Sequence, residues 1–495
     1  MIRNDYILFS VLLVVAIACE KPSSTNIYEE PILAIIGNKK ITVNDFIKRC
    51  EYSPRPNYCN GDNYIHKKIA LNSLIAEKIL AFEFDRNKQA INENQRYFIE
   101  GRKEQLMRHL MLKKYGYEDI QLDSIALLKE YQLRNRTYEV EYVIKNENVL
   151  KELNTKETIA TSKEKAPSFS VNNISNKNLS YNDQMVDDVR VLLFGGGPEL
   201  NQSYGPYIAT DSTVFYMKVS GWVTRVNISD QQKIDTWESV KNKMTESQAL
   251  KKYSSYISNL MRGKKIKYDE RNFEIFAEKV SRVYQIERSK KEEMIQSSIW
   301  ESNNEVQIET LNAVKNMKEK NILHHDGKNW TINDIMSLIK KHPLVFRKKN
   351  INPNNFANEL KFALADLFRD LHITKQGYDL ELDQNINVKS ETNKWQDYIK
   401  SELIKTRYAK SFQKNPNSNN RNNQYKLITN KIDSLQKAYS NKIKINTDKF
   451  EEIELLSIDL FGMYSNQAYN NLEPPFPILT NDHLLDYGSK IVAND

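Results

Sequence analysis

A short passage occurs twice in this chain, and its recurrence limits what the fold can be. Residues 37–50 read GNKKITVNDFIKRC, and residues 327–340 read GKNWTINDIMSLIK. Each gives a turn glycine, a short β-prone pair, and then a helix entered through threonine or asparagine, whose side chains cap free amide groups. Thr42 and Asp45 correspond to Thr331 and Asp334, about 290 positions apart, which points to a repeated unit rather than a local echo. The apolar residues that follow keep the same order. Leu71, Leu74, Ile75 and Glu77 correspond to Leu364, Leu367, Phe368 and Asp370; Phe98, Leu106 and Met107 correspond to Trp395, Leu403 and Ile404. The offset grows slowly between these blocks, as differences in loop length would make it.

A second echo lies further along. Residues 264–280, KKIKYDERNFEIFAEKV, match residues 441–456, NKIKINTDKFEEIELL, with Ile266 opposite Ile443 and Phe273 opposite Phe450. Each follows a long amphipathic helix, about 230–262 and 424–440. The reading is therefore a strand-turn-helix opening, two or three helices, and a closing helix-strand-helix, twice over. Leu71, Leu74, Ile75, Ile79 and Phe82 give the helix after the first opening one apolar face. In the first copy, residues 137–226 are inserted between opening and closing. That insert begins with the β-like alternation TYEVEYVIK and ends with STVFYMKVSGWVTRV. Between them lie a polar stretch over about 155–182, a short helix near 183–193, and FGGGPELNQSYGPY. The triple glycine reads as a turn, because no Lys-Ser/Thr follows it as a phosphate loop requires.

Composition agrees with a mostly helical protein. The chain has 495 residues, enough for two to four domains, with only 14 Gly and 13 Pro against 27 Tyr. Its net charge is +8. The lysines are spread among glutamates along helices rather than gathered in one block, so no nucleic-acid partner is expected.

The N-terminus, MIRNDYILFSVLLVVAIACEK, carries Arg3, then an apolar run from Ile7 to Ala18, then Cys19. The run is too short for a spanning helix. Ala16-Ile17-Ala18-Cys19 resembles a bacterial lipobox, which implies a signal peptide over 1–18, acylation of Cys19, and a polar tether over 19–30. Such a chain would face the periplasm as a membrane-anchored lipoprotein, with the outer membrane as the default because Glu20 gives no retention signal. Several acyl chains at roughly 0.8 kcal/mol per buried methylene make a durable anchor. Export also bears on Cys50 and Cys59, which bracket EYSPRPNY. An oxidising compartment permits a disulfide across that loop; two thiols near a helix end fit equally. The scattered histidines have no ligand spacing to a cysteine, so neither a metal nor a cofactor is expected.

The passages AIIGNKKITVNDFIKR and LNSLIAEKILAFEF, with the closing KIKY and KIKI, resemble the SurA/PrsA group of exported chaperones with parvulin-type prolyl isomerase domains. In that group, N- and C-terminal segments join into one helical core with the isomerase domain inserted. The resemblance implies an α+β, predominantly helical fold: a duplicated SurA-like helical module with a small α/β, degenerate parvulin-like insert in the first copy. Its parts are a first module over 31–134, the insert over 137–226, closing helices and connector over 229–318, a second module over 322–413, and a closing segment and tail over 424–495.

The implied activity is the holding of unfolded or nascent outer-membrane proteins. Leu71, Ile75, Phe82, Leu106 and Leu110 could line the groove for them, or an ordinary core. Catalysis is less well provided for. Parvulin domains usually open with a strand carrying a histidine; here that strand reads Glu141-Tyr142-Val143-Ile144, and no His or Cys occurs over 137–226. Tyr142 and Tyr216 could supply hydroxyls or simply pack, and no catalytic residue is assigned. Three activities fit: a lipid-anchored chaperone, an active parvulin-type isomerase, and a non-chaperone assembly lipoprotein. The insert is expected to be dispensable for holding clients.

Overall fold

A computed structural model describes residues 30–145, 174–209, 213–227, 229–284, 317–348, 351–413, 421–456, 462–464 and 467–491. It is mixed α+β with about 56% helix and 16% strand, hence predominantly helical. The first opening comprises β1 (Ile32–Ile36), β2 (Lys39–Thr42) and α1 (Val43–Glu51), followed by α2 (Tyr64–Arg86), α3 (Glu93–Leu112) and α4 (Ser124–Leu133). Next come β3 (Arg136–Lys145), β4 (Ser175–Ser180), α5 (Asp187–Arg190), β5 (Ser203–Ile208) and β6 (Val214–Thr224). A 31-residue helix, α6 (Asp230–Leu260), leads to β7 (Ile266–Tyr268) and α7 (Glu270–Tyr284). The second opening is β8 (Asn321–His325), β9 (Lys328–Thr331) and α8 (Ile332–Lys341), followed by α9 (Phe356–Asp379) and α10 (Ile386–Gln413). Last come α11 (Arg421–Ala438), β10 (Ile443–Ile445), α12 (Thr447–Glu451) and β11 (Ser489–Lys490).

The chain forms two compact units. The first comprises residues 1–107, 265–345 and 374–495. It holds both openings, and each is built as the sequence suggests. Gly37 alone has positive φ (59°) in the first two-residue hairpin, a II′ arrangement; Asp326 (50°) and Gly327 (77°) make the second a I′ turn. Thr42 accepts from the Asp45 amide while Asp45 accepts from the Thr42 amide, and Thr331 and Asp334 do the same, so α1 and α8 begin with identical capping boxes. The likeness extends to backbone register. Both hairpins carry an irregularity two residues into the first strand, between Ile32 and Ala34 and between Asn321 and Leu323. The amides of Val43 and Ile332 reach back to the carbonyls of Pro31 and Lys320, at 2.9 and 3.0 Å.

The third strand of each motif is where structure and sequence reading part. Each opening was expected to be closed by the strand that follows it in its own copy. Instead β10 pairs with β1 (Ile443 opposite Ile36, Ile445 opposite Ala34), and β7 pairs with β8 (Ile266 opposite His325, Tyr268 opposite Leu323). The closings are exchanged, yet equivalent. Asn446 N donates to Leu33 O at 2.8 Å and Asp269 N to Ile322 O at 2.9 Å; Phe450 and Phe273 then plug the two cores. The first sheet runs β11-β10-β1-β2 and the second β7-β8-β9. Beneath the first sheet, α2 packs with α10 and α11, so that Leu33, Phe46, Leu71, Ile75, Ile432 and Ile443 share one core.

The second unit comprises residues 108–264 and 346–373. Its four strands form an antiparallel sheet in the order β4-β3-β6-β5. One face packs Tyr138, Val140, Met217 and Val219 against Leu127 of α4 and Val240 and Met244 of α6. The polar stretch read over about 155–182 contains a strand: SNKNLS at 175–180 pairs with β3 over six residues. It was invisible to alternation because it is a polar edge strand with only Leu179 buried. SYGPYI at 203–208 is likewise the other edge. The glycine triplet closes a helical turn, and Gly197, at φ 76°, ends it in a conformation that favours glycine. Residues 146–173 of the insert lie outside the described residues.

Candidate functional site

Of the residues named as lining a groove or a core, two are core. Leu71 and Ile75 are fully buried, because α2 is buried on nearly every side from Ile69 to Ala81 rather than on one face. They belong to the core. Phe82, Leu106 and Leu110 are half-buried. Phe82 covers Gly37 and stands edge-on to Tyr439, 5.4 Å between ring centres. Cys50 and Cys59 are both fully buried. Burial pushes the Cys50 thiol up to about 12, far from a reactive thiolate. The loop between them is held by Arg55, whose guanidinium donates to the carbonyls of Cys59, Asn60 and Gly61. Cys19 and the leader lie outside the described residues. Among those described, no helix is long and apolar enough to cross a membrane, and no cluster of three His, Cys, Asp or Glu could hold a metal.

A groove does exist on the same unit, and it is filled. Residues 474–486 have no helix or strand, yet run along the helical frame with their carbonyls taken by side chains. Gln105 on α3 clasps Tyr469 at both ends, Nε2 donating to its carbonyl at 2.8 Å and Oε1 accepting from its amide at 3.1 Å. Arg102 donates to Asn471 O at 3.0 Å and Arg49 to Pro475 O at 2.8 Å. From α2, Ser73 donates to Thr480 O at 3.2 Å and Asn72 to Asp482 O at 2.9 Å. Exposure along the segment has a period of three. Glu473-Pro474, Phe476-Pro477 and Leu479-Thr480 are buried pairs, and Pro475, Ile478 and Asn481 between them are exposed. Three residues per turn is the repeat of a polyproline II helix, which makes no internal hydrogen bonds and leaves its carbonyls free to be read.

Charges line the floor of this groove. Arg49 pairs with the fully buried Glu77. Lys394 on α10 contacts Glu473, Glu391 and Asp45 at 2.9, 2.8 and 3.2 Å. Burial opposes a charge on Lys394, but these carboxylates outweigh it and hold the ammonium above its ordinary value. Asp397 takes Lys39 and Lys78 at 2.6 and 3.0 Å. Arg102 feels Glu473 and Glu391 too, but its nearest neighbours are aromatic rings. It lies 3.3 Å from the ring centre of Trp395 and 5.0 and 5.2 Å from those of Phe98 and Tyr469. Burial drops its guanidinium to about 9, and the aromatic faces supply part of what water would.

The inserted sheet offers less. Tyr142 is opposite Met217 and Tyr216 opposite Val143, so the two tyrosines point to opposite faces of the sheet. They do not share a site. Sequence reasoning missed the filled groove because nothing local marks its binding groups, Asn72, Ser73, Arg102 and Gln105, off from the other polar residues of their helices. The readable signal was EPPFPIL at 473–479, a proline-rich run amid helical sequence. No family model, curated protein or solved structure matches the chain.

Proposed function

We propose that this chain is a lipid-anchored, SurA-like chaperone that holds unfolded or nascent outer-membrane polypeptides at the periplasmic face of the membrane. One observation carries the reading: β10 completes the sheet begun by β1 and β2, so the helical frame is assembled from both halves of the chain, with the α/β sheet in the sequence between. The resemblance implies N- and C-terminal segments joined around an insert; here the joining strand is the one that the sequence reading assigns to the second copy. The two three-stranded motifs, alike in register and capping, are read as two copies of one such module. The four-stranded sheet of the second unit is read as a degenerate parvulin-like insert.

Prolyl isomerisation is the second reading. A barrier of about 18–20 kcal/mol needs convergent groups around one imide. Tyr142 and Tyr216 diverge, which favours holding over catalysis. The test is suppression of aggregation when a urea-unfolded outer-membrane protein is diluted into the chain, alongside a proline-peptide isomerisation assay. Holding at stoichiometric ratio without isomerisation supports the proposal. Isomerisation with no holding reverses the order of the readings, and co-purification of one fixed folded partner with neither activity favours an assembly lipoprotein.

A further inference from the structure

We infer that the groove filled by residues 469–487 is the client site, and that the chain's own tail occupies it as a displaceable stand-in for an extended, proline- and aromatic-containing polypeptide. The inference rests on the chaperone reading and names its site. Three features distinguish this contact from ordinary core closure. First, the frame reads main chain: Arg49, Asn72, Ser73, Arg102 and Gln105 all donate to carbonyls, which every polypeptide has. Second, the seated segment uses no ladder hydrogen bonds between Pro474 and Asp486, so replacing that stretch disturbs the first sheet only at its two-residue edge strand, β11. Third, its three-residue repeat matches the extended helix that proline-rich chains adopt before binding, which lowers the ordering entropy for any similar segment.

Side-chain demands are few. Phe476 and Leu479 fill apolar positions at a spacing of three, Pro475 and Ile478 face out, and Tyr469 and Tyr487 are buried at the two ends, so a client needs that central aromatic–aliphatic pair with aromatic residues flanking it. Lys394 on the floor adds a preference for an acidic residue three before the aromatic, where Glu473 sits. Because the tail is tethered, its effective concentration is in the millimolar range, so it fills the groove at rest and yields only to clients present in multiple copies or held nearby.

The experiment inserts a protease site between Ser465 and Asn466 in the full chain and follows binding of a dye-labelled peptide of residues 469–488 by fluorescence anisotropy. The uncut protein should bind it at least tenfold more weakly than the cut protein. Unfolded outer-membrane protein should displace the peptide, and Gln105→Ala should weaken binding about tenfold, the loss of one buried hydrogen-bonded clasp. Loss of helical circular dichroism once the cut tail is removed, or failure of the peptide to exchange, shows the tail to be core and overturns the inference. Clients held equally by cut and uncut protein without displacing the peptide also overturn it while leaving the chaperone reading intact. Peptide exchange with no client held by either form overturns the chaperone reading and the inference with it.

Discussion

Lys394 Nζ lies 2.9 Å from Glu473 Oε1, and both side chains are buried. A buried pair is expensive to split, because the surviving charge keeps its desolvation cost and loses its partner. Lys394→Met should cost about 3–5 kcal/mol, read as a lowered urea midpoint, and adding Glu473→Leu should recover much of it. A loss below about 1 kcal/mol for Lys394→Met would mean the carboxylates there already carry protons; burial does push Glu473 upward.

Glu104 gives a prediction in pH. Burial alone would raise its carboxyl, but His342, with Nε2 at 2.7 Å, and Lys341 outweigh burial and bring it down to about 2 from 4.5. A depressed carboxyl stabilises the fold above its unfolded value, and the contribution is lost as pH falls from about 4.5 towards 2. Glu104→Gln should therefore destabilise at neutral pH, by on the order of 3 kcal/mol, and flatten the acid limb of the stability curve. A wild-type acid limb that survives the substitution unchanged would assign it elsewhere.

The two capping boxes make a matched pair. Thr42→Ala and Thr331→Ala should each cost about 1 kcal/mol, within the roughly 0.5–2 range for such caps. Asp45 also contacts the buried Lys394, whereas Asp334 contacts the exposed Lys328, so the first substitution should be the costlier. Hydrogen exchange at residues 43–46 and 332–335 reports each helix start separately.

Excision of 137–226 should not be clean, contrary to what the sequence suggests. Leu127, Val240 and Met244 pack against Tyr138, Val140 and Met217, so removing the sheet bares the apolar faces of α4 and α6. A Gly/Ser linker in its place should yield protein that binds a hydrophobic dye and self-associates. Monomeric, dye-free protein from that deletion would show that the two helices find another partner.

Cys19→Ser should leave an uncleaved or soluble chain and abolish labelling by radioactive palmitate. Unchanged fractionation would place the anchor elsewhere.

Much of the fold was legible because its signals are local. Thr42-x-x-Asp45 and Thr331-x-x-Asp334 fix two helix starts, and both structured helices begin one residue later. Partnership is not local. Ile266 and Ile443 sit in near-identical sequences, so nothing in either passage says which hairpin it will join; that depends on where the intervening helices carry it. The site failed for a related reason. Leu71 and Ile75 lie on an apolar stripe, but whether a stripe faces a groove or a second layer is decided by α10 and α11, far away in sequence. Ser175–Ser180 was missed because an edge strand needs no apolar alternation.

The exchange of closing strands sets an order of assembly. β1 and β2 are synthesised first, yet their third strand, β10, follows roughly 400 residues later, among the longest sequence separations a pairing in this chain can have. β7, β8 and β9 come from a much shorter stretch, so the second sheet can close while the first is still waiting. Throughout that interval the early hairpin presents the hydrogen-bonding edge of Ala34–Ile36 with no partner of its own, an edge to which any passing extended segment can add. N-to-C synthesis thus favours a late, all-at-once completion of the frame, and slow synthesis of the last strand should leave this chain open to mispairing at that edge.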